Sequence, residues 1–229
     1  MGFPPPKVYL LDVEGTTSPI SLVYEQLFPY ARKHIESFLR SHIDEPGLRA
    51  DLAAFGEADA DPEQRIATAM HHLLDLMDRD VKDPLLKKIQ GQVWNSGFLS
   101  GELIGTVFPD VAPAFARWSK KARVAIYSSG SVEAQQLLFG HSSAGDLRPY
   151  ISAYFDTRSG PKTSPESYRV IANCLGVETG EILFVSDVVR ELGPAREAGC
   201  QAALSLREGN QPVSDRNGHI AAASFEELL

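Results

Sequence analysis

The sequence has little of what marks several protein classes. Its two cysteines, Cys174 and Cys200, and its six histidines show no metal-ligand spacing, and we expect both cysteines to be reduced thiols in the core. No apolar run approaches the roughly 20 residues that span a bilayer. The net charge is −8, and the sequence contains no cluster of Lys and Arg. These absences argue against a Cys or His metal centre, a membrane span and a nucleic-acid partner.

The composition is otherwise that of an ordinary globular protein. Hydrophobic residues make up 43% and charged residues 23% of the 229 residues, enough chain for one substantial core and an insertion. The first residues, MGFPPP, lack the charged and apolar regions of a signal peptide. We therefore expect a cytoplasmic protein with no membrane partner.

The most informative segment is the apolar run 8–11, followed by Asp12, Glu14 and Gly15. Such a run is typical of a strand buried on both faces of a parallel sheet, whose ligands bind beyond the carboxyl ends of the strands. Because side chains alternate along an extended chain, we expect Asp12 and Glu14 to face one region, where Gly15 lets the backbone come close. Taken alone, the segment is explained as well by an acidic strand end and a turn.

Two later apolar runs, at residues 123–127 and 182–185, are also followed by polar residues. These residues are Ser128, Ser129 and Gly130 after the first run, and Asp187 and Glu191 after the second. Hydroxyls and backbone N–H groups in such a turn suit an anion at a helix N-terminus, although a simple helix cap explains the serines equally well. The second run repeats the pattern of a strand that ends on an acid.

The fourth candidate segment contains a lysine, Lys162. Lys162 lies just before a helix predicted to begin at Pro165, with Ser164 as its N-cap. A solvated surface lysine is a sufficient explanation of this residue when it is considered by itself. Its place in the order of the four segments gives it a possible role at the same edge of the sheet.

The remaining chain divides into a helical part and an alternating part. Helices are predicted at residues 22–40, 63–79 and 84–95, separated by breaks at 46–47 and 59–62. From residue 108 strands alternate with helices, the latter at 112–121, 132–139, 165–175 and 194–198, which predicts a parallel sheet. We expect a Rossmann-like α/β core of residues 1–18 and 108–229, with an inserted all-helical cap at residues 19–107.

Four segments that supply acid-x-acid, Ser-Ser, Lys and Asp in this order resemble the signature motifs of the haloacid-dehalogenase-like hydrolase superfamily. Glu14, within DVEGTTSPI, stands where most phosphatases of the superfamily carry a second aspartate. With glutamate at this position, the motif resembles that of one family in particular, enolase-phosphatase E1 of methionine salvage. Further segments that resemble this family are VFPDV at 107–111, YSSGSVEAQ at 127–135, LFGHS at 138–142 and FDT at 155–157.

The resemblance implies a role for each motif residue. Asp12 is the implied nucleophile, and Glu14 is the implied acid and base. The implied ligands of Mg²⁺ are Asp12, Asp187 and the backbone carbonyl of Glu14. The implied phosphate-binding residues are Ser128, Ser129 and Lys162, and the supporting residues are Gly130, Glu191 and Trp94. Glu191 is expected to orient Lys162 or a metal-bound water rather than to bind metal itself.

The resemblance also implies the reaction. A small phosphorylated diketone, 2,3-diketo-5-methylthiopentyl-1-phosphate, is converted through an enol-phosphate to an acireductone and phosphate. The apolar methylthio end of this substrate needs an apolar wall, which Trp94 and other cap aromatics (Tyr24, Phe28 and Phe98) could form. Helix packing explains each of these aromatic residues equally well. The family resemblance favours a monomer.

Three alternatives stay open at this point. A general small-molecule phosphatase or phosphomutase of the same superfamily would share the four motifs, but Glu14 and the cap sequence separate it from the enolase-phosphatases. A dehalogenase would need neither a metal nor an acid at position 14. A non-catalytic binding module would normally have lost Asp12, Lys162 or Asp187, and the sequence retains all three.

Overall fold

The computed structural model describes residues 4–55, 61–79, 81 and 83–228. It divides into two compact units, one made of the chain up to Val23 with Ile104–Leu229, and the other of Tyr24–Leu103. The predicted N-terminal segment 1–3 and residues 59–60 of a predicted break lie outside the described residues.

Strands and helices follow one another along the chain. In chain order the strands are β1 (Val8–Leu11), β2 (Arg123–Tyr127), β3 (Ile151–Phe155), β4 (Ile182–Ser186), β5 (Gln201–Ser205) and β6 (Ile220–Ala222). The α-helices are α1 (Phe28–His42), α2 (Pro46–Leu52), α3 (Pro62–Asp78), α4 (Pro84–Ser100), α5 (Val111–Trp118), α6 (Val132–Gly140), α7 (Pro165–Leu175) and α8 (Val189–Glu197). A π-helical segment, Leu22–Leu27, leads into α1, and 3₁₀ turns lie at Ala53–Phe55, Arg148–Tyr150, Thr157–Ser159, Thr179–Glu181 and Phe225–Glu227.

The strands of the described chain form one parallel sheet in the first unit, in the order β3-β2-β1-β4-β5-β6. Leu10 packs in one cluster with Tyr168 of α7 and Leu192 of α8. Its neighbour Tyr9 points the other way and stacks on Trp118 of α5, with ring centroids 3.9 Å apart. Helices therefore cover both faces of the sheet, as expected for parallel strands. The predicted α/β core is confirmed.

Strand order decides where a ligand binds in such a sheet. The chain runs outward from β1 through β2 to β3, then crosses back to β4 on the other side of β1 and runs outward through β5 to β6, so the order reverses next to β1. Ligands of open parallel sheets bind at this reversal, beyond the carboxyl ends of the strands. Asp12 directly follows β1 and Asp187 directly follows β4, so both acids lie at that edge.

The second unit is helical, and its core lies among α1, α3 and α4. Ile35, Leu73 and Ile89 are fully buried there, one from each helix. Asp83 caps α4, because its Oδ1 accepts hydrogen bonds from the N–H groups of Leu85 and Leu86 at 2.8 and 2.9 Å. The predicted helical character of this part of the chain is confirmed.

Several local predictions are wrong. Pro46-Gly47 does not break the chain but begins α2, because proline fits the first turn of a helix. Helix α8 begins at Val189, and Pro194 lies inside it rather than at its start. Strand β6 was not expected, and the chain at Phe108 is not a strand. Cys200 is buried, but Cys174 is exposed on α7, so only one of the two thiols belongs to the core.

Candidate active site

Asp12 is the most buried of the candidate acids. Its backbone N–H donates to the carbonyl of Val185 at 3.0 Å, which extends the pairing of β1 with β4 by one residue. The residue is 3% exposed. A carboxylate at this depth needs partners for its charge, because burial without them costs several kcal/mol.

Those partners surround both oxygens of the Asp12 carboxylate. Oδ1 accepts the backbone N–H of Val13 at 2.7 Å and forms an ion pair with Lys162. Oδ2 accepts the hydroxyl of Ser186 at 3.0 Å. The carboxylate is therefore fixed in orientation and held beside a cation, as a nucleophile that must attack from one direction requires.

Lys162 contacts the carboxylates of both Asp12 and Glu191. Its side chain is 11% exposed, and Nζ also lies 3.4 Å from Oε2 of Glu191. Burial alone would lower the pKa of Lys162, but the charges of Asp12 and Glu191 outweigh it and raise the pKa above its ordinary value. Lys162 is thus a fixed positive charge rather than the solvated surface lysine of the alternative interpretation.

Two buried tyrosines hold the loop that carries Lys162. The hydroxyl of Tyr127 donates to the carbonyl of Gly160 at 2.8 Å. The hydroxyl of Tyr168 lies 2.8 Å from the carbonyl of Lys162 and 3.0 Å from that of Glu191. The position of the lysine therefore depends on core residues of β2 and α7 as well as on its ion pairs.

Glu14 lies beyond Asp12 in a tight turn. The N–H groups of Thr17 and Ser18 both donate to the carbonyl of Val13 at 2.9 Å, and Gly15 adopts a positive φ of 69°. The half-buried side chain of Glu14 approaches Ser128, with Oε2 and Oγ 3.4 Å apart. The structure thus brings Asp12, Glu14 and Ser128 to one region of the sheet edge.

The pKa of Glu14 is raised, first by burial and then by the charge of Asp12. A carboxyl group with a raised pKa carries a proton for more of the time near neutral pH and can donate it to a leaving group. Glu14 is therefore suited to act as acid and then as base beside the oriented carboxylate of Asp12.

The turn after β2 contains the other predicted anion-binding residues. Ser128 is 1% exposed, and its Oγ accepts the N–H of Gly130 at 3.0 Å. Gln135 of α6, which sequence analysis did not single out, secures the turn by donating to the carbonyls of Gly130 and Phe155 at 2.9 and 3.0 Å. Ser129 is exposed next to Ser128, and its contact with phosphate stays a prediction.

Asp187 and Glu191 differ in their surroundings. Burial and the charge of Asp12 raise the pKa of Asp187 to about 7. Glu191 contacts Lys162 and the hydroxyl of Ser186, whose Oγ is 3.0 Å from Oε2 of Glu191. These contacts agree with the expectation that Glu191 orients Lys162. Ser186 joins Glu191 to Asp12, and no sequence signal pointed to it.

The oxygen atoms near Asp12 fit a magnesium ion. Among the described residues, no group of three or more His, Cys, Asp and Glu side chains could hold a metal ion by itself. Mg²⁺ does not need one, since it binds through one or two carboxylates and keeps several waters. The charge of Asp12 raises the pKa of Asp187, and the buried Oδ1 of Asn210 has no partner among the described residues. A cation here would be attracted by both acids.

Trp94 lies in the helical unit and packs with its aromatic neighbours. Its Nε1 donates to the carbonyl of Leu27 at 2.8 Å, and its ring stacks on Phe28 with centroids 6.3 Å apart. Phe98 is 3% exposed, whereas Tyr24 is 63% exposed. The packing interpretation accounts for Phe98, and a role of Trp94 in substrate selection stays a prediction.

Comparison with known proteins gives the family. A model described as haloacid dehalogenase-like hydrolase matches residues 6–199. The enolase-phosphatase E1 of Pseudomonas aeruginosa (strain UCBPP-PA14) is 46% identical over 228 residues, covering 97% of this chain and 98% of its own. That of Synechococcus elongatus (strain ATCC 33912 / PCC 7942 / FACHB-805) is 46% identical over 230 residues and covers 96% of each chain. The chain belongs to the enolase-phosphatase E1 family.

Solved structures of similar proteins share the fold of this chain. The UTR4 protein of Saccharomyces cerevisiae is 39% identical to this chain and superposes on it with a TM-score of 0.82. The match covers 96% of this chain and 99% of the UTR4 chain. CbbY of Rhodobacter sphaeroides in complex with phosphate is only 19% identical with a TM-score of 0.61, covering 97% of this chain and 96% of its own, and supports the fold alone. The family resemblance predicted from the motifs is confirmed.

Proposed function

We propose that this chain is a bifunctional enolase-phosphatase of methionine salvage. It converts 2,3-diketo-5-methylthiopentyl-1-phosphate through an enol-phosphate to the acireductone 1,2-dihydroxy-3-keto-5-methylthiopentene and phosphate. The observation that carries the proposal is the Asp12 carboxylate, buried and oriented by Val13, Ser186 and Lys162 at the edge where the strand order reverses. The substrate follows from the curated relatives at 46% identity over nearly the full chain.

Phosphate transfer requires that a carboxylate attack an anion. A phosphate monoester is negatively charged near neutral pH, so nearby positive charge must offset the repulsion. Lys162 supplies such charge from the protein, and Ser128 offers a hydroxyl to a phosphate oxygen. Mg²⁺, held by Asp12, Asp187 and the carbonyl of Glu14, would neutralise the remaining charge on the phosphate oxygens.

Formation and hydrolysis of the aspartyl-phosphate both use the carboxyl groups of Asp12 and Glu14. An Asp12 oxygen forms a bond to phosphorus while the bond from phosphorus to the ester oxygen breaks, and Glu14 gives its proton to the leaving oxygen. Glu14, now ionised, takes a proton from water as the water oxygen attacks the aspartyl-phosphate. Asp12 is released as a carboxylate together with inorganic phosphate, and loss of the proton from Glu14 to solvent returns the site to the state in which Glu14 can again act as a base.

Enolisation precedes phosphate release in this reaction. It needs a base to take a proton from carbon and an acid or a cation at the carbonyl oxygen. We assign the base to Glu14, because its position next to Asp12 and its raised pKa suit proton transfer near neutral pH. Lys162 stays protonated and serves as electrostatic support.

The domain roles and the cellular setting belong to the same proposal. The α/β unit is the catalytic core, and the helical unit is the cap that contains Trp94. No helix of the described chain is long and apolar enough to cross a membrane. We propose a cytoplasmic monomer, and gel filtration with light scattering at micromolar concentration tests the oligomeric state.

Phosphate release and absorbance of the enediol product, measured together, test this function. The diketo substrate is compared with simple sugar phosphates, with Mg²⁺ and with excess EDTA. We expect metal-dependent phosphate release from the diketone with the enediol appearing. Faster release from sugar phosphates without an enediol would indicate a general phosphatase, and inactivity towards all substrates would indicate a binding module.

A further inference from the structure

The turn that follows β5 holds the loop that follows Asp12. The hydroxyl of Ser205 donates to the carbonyl of Gly15 at 3.2 Å, and the side-chain amide of Asn210 donates to the same carbonyl at 2.8 Å. Arg207 donates to the carbonyl of Thr16 at 3.1 Å. Three side chains from one short segment thus fix the backbone immediately after the catalytic acids.

The contact with Gly15 also fixes the orientation of the Asn210 amide. A carbonyl oxygen can only accept hydrogen bonds, so the NH₂ group of Asn210 must face it and Oδ1 must point elsewhere. Oδ1 is buried and has no hydrogen-bond partner among the residues that the structure describes. Buried polar atoms in native proteins are nearly always satisfied, by protein groups or by bound water.

The surroundings of Gly15 show where this oxygen points. A Cβ atom added to Gly15 would lie 2.3 Å from Oδ2 of Asp187 and 3.0 Å from Oδ1 of Asn210. Both oxygens therefore lie close to the Cα atom of Gly15 and near each other, an approach that only a glycine at position 15 allows. An ionised carboxylate and an amide carbonyl are both acceptors and cannot bond to each other. When Asp187 is ionised, as a carboxylate that binds a metal ion must be, a donor or a cation is needed between them.

We propose that Asn210 is a positioning residue for the metal site, whose Oδ1 accepts a hydrogen bond from a magnesium-bound water beside Asp187. The inference rests on the proposed metal-dependent function. Mg²⁺ keeps several of its waters, and partners that orient a metal's ligands or waters strengthen its binding. Asn210 then has two functions: its NH₂ group fixes the Gly15 carbonyl, and its oxygen fixes the hydration of the ion.

Titration of the substrate-free enzyme with Mg²⁺ alone, followed by calorimetry, separates these two functions. Asn210→Ala removes both the donor and the acceptor. Ser205→Ala is the matched control, because it removes a hydrogen bond to the same Gly15 carbonyl without removing an oxygen beside Asp187. Asn210→Asp keeps acceptor oxygens at position 210 and loses the amide donor, and melting curves show whether each variant is folded.

We expect Asn210→Ala to weaken Mg²⁺ binding about tenfold or more, Ser205→Ala to stay within about twofold of the unmodified enzyme, and Asn210→Asp to bind at least as tightly as the unmodified enzyme. Equal losses in Asn210→Ala and Ser205→Ala, no loss in Asn210→Ala, or the same loss in Asn210→Asp would overturn the inference. If the unmodified enzyme binds no Mg²⁺, the metal-dependent function itself fails, which distinguishes the two failures.

Discussion

The two units of the molecule differ in the ion pairs that they bury: among the described residues, only the α/β unit has ion pairs with both side chains buried. In the helical unit Arg40 bridges to Glu63 at 2.6 Å, with side chains 46% and 68% exposed. In the α/β unit Lys162 and Asp12 are paired at 11% and 4% exposure, and Arg207 and Asp110 at 5% and 13%. Exposed pairs contribute little to stability, whereas loss of one partner from a buried pair leaves an uncompensated charge. Substitution of an ion-pair residue should therefore have a large effect only at the buried pairs of the α/β unit.

The largest effect should follow from Asp12→Asn. An amide cannot attack phosphorus, so we expect phosphate release to fall about 10⁴-fold or more, as when a nucleophile is removed from other enzymes. The fold should be retained, because Lys162 keeps Glu191 as an anionic partner and an amide oxygen can still accept the N–H of Val13. Steady-state phosphate release and a thermal melt measure both quantities. Residual turnover within about tenfold of the unmodified enzyme would exclude Asp12 as the nucleophile.

The next largest effect should be a loss of folding stability in Asp110→Asn. Oδ2 of Asp110 accepts hydrogen bonds from the N–H of Phe225, from Arg207 and from the hydroxyl of Ser224, at 2.6, 2.8 and 3.1 Å. Asp110→Asn leaves the buried guanidinium of Arg207 without its anionic partner, and we expect a loss of about 3–5 kcal/mol in the free energy of unfolding. Urea unfolding at neutral pH measures it. A loss below about 1 kcal/mol would contradict the contrast between the units.

The same pair predicts how stability depends on pH. Burial alone would raise the pKa of Asp110, but the Phe225 N–H and Arg207 hold it below its ordinary value of 3.8. The pKa of Asp110 is lower in the folded state than in the unfolded state, so the folded state binds the proton less tightly. The stabilisation by the ionised carboxylate is therefore complete above the unfolded-state pKa and is lost as the pH falls through the lowered, folded-state pKa. The difference in unfolding free energy between the original protein and Asp110→Asn should narrow below about pH 4. Unfolding measured at several acidic pH values checks this.

Ser186→Ala should have an intermediate effect, on activity. Its hydroxyl lies 3.0 Å from both Oδ2 of Asp12 and Oε2 of Glu191, so its loss frees the nucleophile to rotate. We expect kcat to fall about 10- to 100-fold with little change in KM. Ser142→Ala, which removes another buried hydroxyl with a backbone carbonyl as partner, is the control. Equal effects of the two substitutions on kcat would refute a positioning role.

The smallest effect should follow from Arg40→Met in the helical unit. Arg40 contacts Glu36 at 3.0 Å and Glu63 at 2.6 Å, but all three side chains are largely solvated. Salt screens such pairs, and many of them contribute nothing measurable. We expect an unchanged melting temperature at high salt and at most a slight decrease at low salt. A decrease as large as that of Asp110→Asn would remove the distinction between the units.

Much of the candidate site could be predicted because it depends on local patterns. The apolar runs that end at Asp12, Ser128 and Asp187 identify buried parallel strands, and parallel strands bring their carboxyl ends to one edge. Lys162 could be predicted only from its place in the motif order. Its ion pair with Asp12 depends on the packing of the loop against Tyr127 and Tyr168, which no periodicity shows.

The missed features depend on contacts between distant residues. Arg207 and Asp110 are 97 residues apart in the chain, so neither residue reveals its partner. Strand β6 has only three residues and gains its stability from pairing with β5. The sequence does not show whether Pro46 interrupts the chain or begins a helix, because proline is common both where helices end and in their first turn. Ser186 had no signal of its own, since its role comes from where β4 places it.

The central claim is that Asp12 carries the phosphoryl group, and a single turnover tests it most directly. The enzyme is mixed with less than one equivalent of the diketo phosphate and Mg²⁺, quenched in acid within milliseconds and digested for mass spectrometry. The mechanism predicts one phosphoryl group on the peptide that contains Asp12, which disappears as free phosphate accumulates. Phosphate released at full rate with no phosphorylated Asp12 peptide, or a phosphoryl group on another residue, would contradict it.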